Sequence, residues 1–470
     1  MHYEKFQDGT IKCIEDEIPF EVPEGWAWCK LNDIYNFIDY RGATPTKITN
    51  GIPLVTAKNV KSGYIDYTID DYISEEEFKE RQQRGISKKG DILFTTEAPL
   101  GNAALADMEK FSAGQRLITF QQYGSKNELI NYVMLMFILS DFFQQQLYVN
   151  KTGSTVAGIK AAILKTLWIP VPPYNEQLRI SNTLKSAINL IDSISKNKEI
   201  LSTSISNTKS KILDLAIRGK LVPQDPNDEP ASVLLERISA EKEELIKQGK
   251  IKRDKKESVI FKGDDNSYYE KINGEVFCIN EEIPYDIPDT WTWMRLENCC
   301  IKEIRRGKSP KYTVNSTVLV FAQKCNTKYN GIDVSLAQYL DETTLKHYPS
   351  DEYMQDGDVV INSTGTGTLG RVGIYRYTDN TTCLSIVPDS HVTVIRSFSC
   401  ISSHYLYAFM KAHQSELEKK GEGSTNQKEL KPLTLKEMLI AVPPLSEQEH
   451  IENAICTAFS RFAVIEESLN

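Results

Sequence analysis

The chain has 470 residues, 40% hydrophobic and 25% charged, with a formal net charge of -9. Those proportions suit a globular protein of two to four domains with buried cores. The acidic balance excludes nucleic-acid binding through bulk charge and leaves that task to local basic loops. No apolar run approaches the length of a membrane-spanning helix. The polar opening, 1–10, is unlike a signal peptide. Nine scattered cysteines form no CxxC pair, and Cys299-Cys300 has no metal-ligand partners at suitable spacing. They read as reduced thiols of a cytoplasmic protein with no metal site.

In chain order, β-rich runs at 52–56, 91–96 and 116–120 lie between Gly, Asn and Pro turns, and a helical pattern follows across 129–148. Pro172-Pro173 interrupts whatever precedes it, and Asn175 is predicted to cap a new helix. Its apolar residues fall at Ile180, Leu184, Ala187, Ile191, Ile194, Leu201, Ile205, Ile212 and Leu215, with Lys198 and Thr208 in the gaps. Spacings of four and three alternate, a heptad seam that needs a partner helix. Gly219 closes the helix as a left-handed cap, which makes a rod of roughly 60 Å. After a turn-rich break at 221–226, Pro230 is placed as the first residue of a helix running toward Gln248. A short, mainly basic, solvated link occupies 250–256.

The remainder repeats what came before. Trp26-x-Trp28 recurs as Trp291-x-Trp293 at an offset of 265, together with Cys13/Cys278 and Arg41-Gly42/Arg306-Gly307. Gly90-Asp91 recurs as Gly357-Asp358 at 267, Gly153-Ser154-Thr155 as Gly423-Ser424-Thr425 at 270, and Val171-Pro172-Pro173 with Glu176-Gln177 as Val442-Pro443-Pro444 with Glu447-Gln448 at 271. A slowly rising offset marks two diverged copies with indels in surface loops. The second body carries β-rich runs at 318–322, 359–362 and 392–395 and a helical pattern at 404–419. Strands and helices are segregated, so each body is α+β. Ser446 and Glu449 make a capping box for a closing helix with apolar Ile451, Ile455, Ala458, Phe462, Ile465 and Leu469. Shifted by 271, these fall in register with the seam from Ile180 to Ile194, and Leu469 takes the place of Lys198. The expectation is two tandem domains on long coiled-coil helices, antiparallel about a pseudo-two-fold axis, with 201–215 left unmatched. The corresponding parts are 1–174, 175–219, 220–265, 266–445 and 446–470.

No catalytic pattern emerges. Val171-Pro172-Pro173-Tyr174 lacks the polar first residue of an amino-methyltransferase motif, and its copy, Val442 to Leu445, also lacks the aromatic. Gly365-Thr366-Gly367-Thr368-Leu369-Gly370 matches GxGxxG, but the alternation from Arg371 onward is that of a strand, not of the helix a dinucleotide site requires. It reads as a hairpin able to approach a phosphate or base edge. Polar loops recur at equivalent places: Arg41 to Pro45 with Arg306 to Pro310, Lys151 to Thr155 with Gly423 to Asn426, and Lys58-Asn59 with Lys324 to Asn326. These side chains suit phosphates and base edges; equally, Arg41 and Arg306 could be tied to carboxylates of their own bodies.

The doubled body with its Pro-Pro-x-x-Glu-Gln helix, the stretch from Asp214 to Pro226, and Gly90-Asp91 with Gly101 and Gly357-Asp358 with Gly370 resemble the specificity subunit of type I restriction-modification systems. The resemblance implies a subunit with no catalysis or cofactor of its own. Each body would be a target-recognition domain for half of a bipartite double-stranded DNA sequence. The helices would act as spacer and dock for two methyltransferase subunits holding S-adenosylmethionine, joined by restriction-translocase subunits. The implied DNA face comprises Arg41, Thr44, Lys58, Asn59, Lys151, Gly153, Ser154 and Thr155 in the first body. In the second it comprises Arg306, Lys308, Lys324, Asn326, Thr366, Arg371, Ser424, Thr425 and Asn426. A related methyltransferase system without the restriction subunit, and a stand-alone methyltransferase, are the alternatives.

Overall fold

The structure is a computed structural model that describes every residue except 1, 7, 43, 69–70, 124–128, 154–156, 252, 254–257, 330, 424–427 and 470. It divides into two compact units, Met1–Ser195 and Lys196–Asn470. The dividing point lies inside the central helix, Tyr174–Ile217.

In the first unit an antiparallel sheet runs in the order Tyr35–Asp39, Leu117–Gln122, Ile92–Thr96, Leu100–Leu105. Ile118, Phe120, Phe94 and Tyr35 share a core with Met134, Leu135 and Ile138 of Asn131–Ile138 and with Phe143 and Leu147 of Asp141–Val149. The single helical pattern expected at 129–148 is thus two helices. Ser140 is extended between them, and its hydroxyl donates to the Phe137 carbonyl at 2.6 Å, which ends the first helix.

The second unit repeats the plan with looser edges. Val359–Asn362 pairs antiparallel with Val372–Ile374 and with Val392–Ile395. Val318–Phe321 lies parallel to Ser385–Pro388. Where the first unit has its edge strand Tyr35–Asp39, the second keeps only isolated bridges, Cys300 to Ser397 and Arg306 to Thr393. The 404–419 pattern is likewise divided, into Ser403–Ala412 and Gln414–Lys419.

The parts that repeat most faithfully fasten each body to its helix. Trp168–Val171 pairs with Ala27–Lys30, placing Pro170 opposite Trp28; Leu439–Val442 pairs with Thr292–Arg295, placing Ala441 opposite Trp293. Each of these strands leads through Pro-Pro into a long helix. Gln177 and Gln448, both buried, use their side chains alike. Gln177 accepts from Ile130 N (2.8 Å) and donates to the Pro172 carbonyl (2.9 Å). Gln448 accepts from Ser402 N (2.7 Å) and donates to the Pro443 carbonyl (3.0 Å). Two backbone groups left over at a helix entry are satisfied each time.

Several local expectations shift. The central helix starts at Tyr174, so Asn175 lies inside it; the Pro173 carbonyl already accepts from Gln177 N at 3.0 Å. The closing helix is Leu445–Ser468, capped by Pro444, and the Ser446 hydroxyl donates to Asp228 at 2.6 Å rather than forming a capping box. Pro230 is the cap of the linker helix Ala231–Lys247, not its first residue. At Pro230 and Pro444 the proline's extended ψ sets the helix entry, and its ring carries no acceptor to serve as a side-chain cap.

Helix pairing is the larger correction. Ile180 and Leu184 are half-buried, Ile180 against the first body's core, but Ala187, Ile191 and Ile194 are exposed, the last two by 59% and 58%. The far half, expected to be unmatched, is the part that meets the closing helix. Lys209 Nζ lies 2.7 Å from Glu466 and over the Phe459 ring, while Ala216 shares a cluster with Ile451 and Ile455. Rising numbers on one helix meet falling numbers on the other, so this pairing is antiparallel. Ala458 and Phe462 are half-buried and Ile465 is 39% exposed. Ile205 is buried as the seam requires, but nearer the end the buried residues are Leu213, Ala216 and Ile217 instead of Ile212 and Leu215. A straight helix at 3.6 residues per turn drifts off a seven-residue repeat by about 20° per heptad, which moves the inner face by one position.

Gly219 closes the central helix as expected. Its φ is +65°, Lys220 N donates to the Leu215 carbonyl at 2.9 Å and Gly219 N to Ala216 at 3.3 Å. A Cβ there would lie 2.4 Å from Pro288 Cγ, so the stop is also a close contact.

Candidate nucleic-acid interface

In the first body, the edge strand Tyr35–Asp39 delivers Asp39 beside the turn at Arg41. Asp39 accepts from Arg41 N (3.0 Å), Nε (2.9 Å) and Nη2 (2.6 Å), while Arg41 Nη1 donates to the Ile159 carbonyl at 3.4 Å. Burial pushes the Asp39 carboxyl up, but the hydrogen bonds from Arg41 outweigh it and leave the group below its ordinary range. The glycine loop is pinched at its base, where Thr152 bridges Gly158 and Gly158 bridges Glu97 at the end of Ile92–Thr96. Arg41 and Gly153 thereby line one cleft of about 650 Å³, together with Asp39, Arg84, Glu97 and Lys160.

The second body builds the same junction. Arg306 bridges Thr393 through its backbone and pairs with Glu429 at 3.0 Å. Glu429 bridges both Glu422 and Thr364, the counterparts of Thr152 and Glu97. Beyond Thr364, the segment 365–370 turns back into Val372–Ile374, a hairpin with no helix after it. Thr366 is exposed at its tip. The Thr368 hydroxyl donates to Gln323 at 3.2 Å, so this hairpin joins the loop of Lys324.

The structure sorts the expected residues. Arg41 and Arg306 are both ion-paired within their own bodies, one to Asp39 and one to Glu429. Lys58 and Lys324 are exposed. Lys151 Nζ sits 3.4 Å above the Tyr148 ring, and the Thr44 hydroxyl accepts from Gln115. Lys308 donates to the His347 carbonyl and lies 3.7 Å from Glu352. Two of the expected asparagines are buried. Asn59, 3% exposed, accepts from Thr56 N at 2.9 Å and donates to the Asp66 carbonyl at 3.0 Å. Asn326, 1% exposed, donates to Asn362 and to the Arg371 carbonyl. Both hold their own loops together, so neither presents its amide to a ligand. Arg371 braces the same region, donating to the carbonyls of Asn326 (2.8 Å) and Gly367 (3.1 Å). Lys58 and Asn59 do not line the Arg41 cleft. Ser154, Thr155, Ser424, Thr425 and Asn426 lie outside the described residues.

Sequence reasoning missed Arg84, Glu97 and Lys160 in the first body and Glu422, Glu429 and Lys431 in the second. Lys160 and Lys431 stand at the same offset, 271, as the Pro-Pro motifs, a signal present in the repeat.

Two copies of one α+β body, each clamped to the start of a long helix and each carrying an arginine against a pinched glycine loop, define a tandem two-site protein. The family described as "Type I restriction modification DNA specificity domain" matches residues 23–202 and 288–469, and the chain belongs to that family, with two copies of the domain. It is 26% identical to the EcoEI specificity subunit of a type I restriction enzyme of Escherichia coli, over 96% of this chain and 80% of that one. It is 33% identical to the EcoAI specificity subunit, also of Escherichia coli, over 60% of this chain and 52% of that one. Among solved structures its fold is similar to a chain from work on complex assembly and conformational transition of the type I R-M system (TM-score 0.60, 18% identity, 96% and 94% of the two chains). It is also similar to the HsdS subunit from Thermoanaerobacter tengcongensis (TM-score 0.54, 16% identity, 96% and 93%). Among the described residues no helix is long and apolar enough to cross a membrane.

Proposed function

We propose that this chain is the specificity subunit of a type I restriction-modification complex in the cytoplasm, and that each body reads one half of a bipartite double-stranded DNA target. The observation that carries the reading is the repeated junction: an arginine, a glycine loop and a strand end meet at equivalent positions of both bodies. Hydrogen-bonding side chains on such loops suit base edges and phosphates. The long helices act as spacer and as dock for two methyltransferase subunits, which hold S-adenosylmethionine; restriction-translocase subunits complete the assembly. This chain contributes recognition and no catalysis.

The test is co-purification with the methyltransferase subunits, followed by footprinting and methylome sequencing. Arg306→Ala is expected to weaken binding at one half-site and leave the preference at the other intact. Loss of preference at both halves, or no footprint from the assembled complex, overturns the reading.

A further inference from the structure

The two junctions differ in how their cations are matched. In the first body Arg41 is taken up by Asp39, and Glu97 by Arg116 at 3.1 Å. That leaves Arg84 and Lys160, both exposed and both lining the cleft. Arg84 donates to a backbone carbonyl, that of Asp39, at 2.9 Å. Among the described residues neither cation has a carboxylate within ion-pair distance.

In the second body the corresponding loop carries its own acids. Glu422 and Glu429 replace Thr152 and Gly158, and they close on the cations there: Lys431 to Glu422 at 2.5 Å and Arg306 to Glu429 at 3.0 Å. Glu422 and Lys431 are exposed and Glu429 is half-buried, so these pairs add little to stability. They still cancel charge where a phosphate would have to approach. The first cleft is lined by three cations, Arg41, Arg84 and Lys160, against two carboxylates, Asp39 and Glu97, and although the Arg84 charge also acts on Asp39, the surplus is positive. Such a cleft attracts a phosphate and releases its counterions, and a neutralised junction does so far less.

We propose that the cleft of the first body is a DNA backbone-phosphate site held by Arg84 and Lys160. By this reading, which rests on the DNA-reading function above, the first body supplies most of the salt-dependent affinity, and the second works chiefly through hydrogen bonds to base edges. The two half-sites are then unequal: one anchors, the other discriminates.

The experiment uses the full chain assembled with its methyltransferase subunits and a duplex carrying both half-sites, titrated in KCl. Removing both cations, Arg84→Ala with Lys160→Ala, is expected to lower the slope of log K against log salt by about two, since each phosphate contact contributes roughly 0.9. Base preference at both half-sites stays as in the wild type. The charge-keeping pair Arg84→Lys with Lys160→Arg restores most of the slope. Lys431→Ala changes the slope by well under one. An unchanged slope in the double alanine variant, an equal loss from Lys431→Ala, or an altered base preference overturns the phosphate site. A wild-type complex that binds no DNA at any salt overturns the specificity reading as well, so the two failures are distinguishable.

Discussion

The indole N–H of Trp291 donates to Glu447 Oε2 at 2.7 Å, across 156 residues of sequence. Trp26 makes the same bond to Glu176 at 3.0 Å. The tryptophan of each Trp-x-Trp and the glutamate of each Pro-Pro-x-x-Glu-Gln are thus two ends of one fastening between a body and its helix. That is a physical reason for the two motifs to recur together.

The second fastening is the more deeply buried, so it carries more energy. Trp291→Phe is expected to lose about 1.5–3 kcal/mol, the range for a bond to a charged group, and Trp26→Phe less. Urea melts of the two variants check the ranking. Burial pushes the Glu447 carboxyl above its ordinary range, against the opposing pull of Trp291 and Gln224. A raised carboxyl contributes stability at low pH that is lost as pH rises through the folded value. Glu447→Gln should therefore flatten the stability profile in the acid range just above ordinary carboxylate titration. A variant profile that keeps the wild-type slope there would refute this assignment.

Gln448→Ala leaves a part-buried amide, Ser402 N, and a buried carbonyl, Pro443 O, without their partner. Each such group costs about 1–3 kcal/mol. Denaturant unfolding of this variant should show a larger loss than any exposed substitution on the closing helix.

Ile205 is 3% exposed, one turn before Lys209. Ile205→Ala is expected to cost about 2–4 kcal/mol. Lys209→Ala removes a pair whose partners are 28% and 44% exposed, and should cost under about 1 kcal/mol. Inserting four helical residues after Lys198 lies upstream of this contact and adds about 6 Å of helix. The preferred gap between half-sites should change in methylome sequencing; an unchanged gap contradicts the spacer role.

Asp39→Asn removes the charge that holds Arg41. Weak, sequence-independent DNA binding should rise a few-fold, measured by gel shift at low salt. Asp39 is held below its ordinary range, so its stabilising contribution is present at neutral pH and is lost only on strong acidification. The gain from Asp39→Asn should therefore be constant across the neutral range, and a gain that vanishes toward pH 6 would contradict the pairing.

Much of the fold was legible because its signals are local. Val359–Asn362 and Val392–Ile395 are found as expected, since alternation and flanking turn residues mark a strand within a few positions. Gly219 was legible because a left-handed stop requires a residue without Cβ. The site was legible in part. Arg41 and Gly153 do share a cleft, whereas the side chains of Asn59 and Asn326 bond within their own bodies, which sequence could not show because an asparagine that closes its own turn and one that meets a ligand look alike there.

By itself the sequence determined the duplication, the α+β character of each body and the extent of the long helices, all carried by spacing and by Pro and Gly. Only the tertiary structure decided which half of the central helix meets the closing one. A heptad seam repeats itself every seven residues, so apolar spacing leaves several registers open. The choice falls to contacts at the helix end, where Ala216 packs in one cluster with Ile451 and Trp291 and Gly219 abuts Pro288. The charge balance of each cleft was decided in the same way, because ion pairs such as Arg306–Glu429 join residues far apart in the chain.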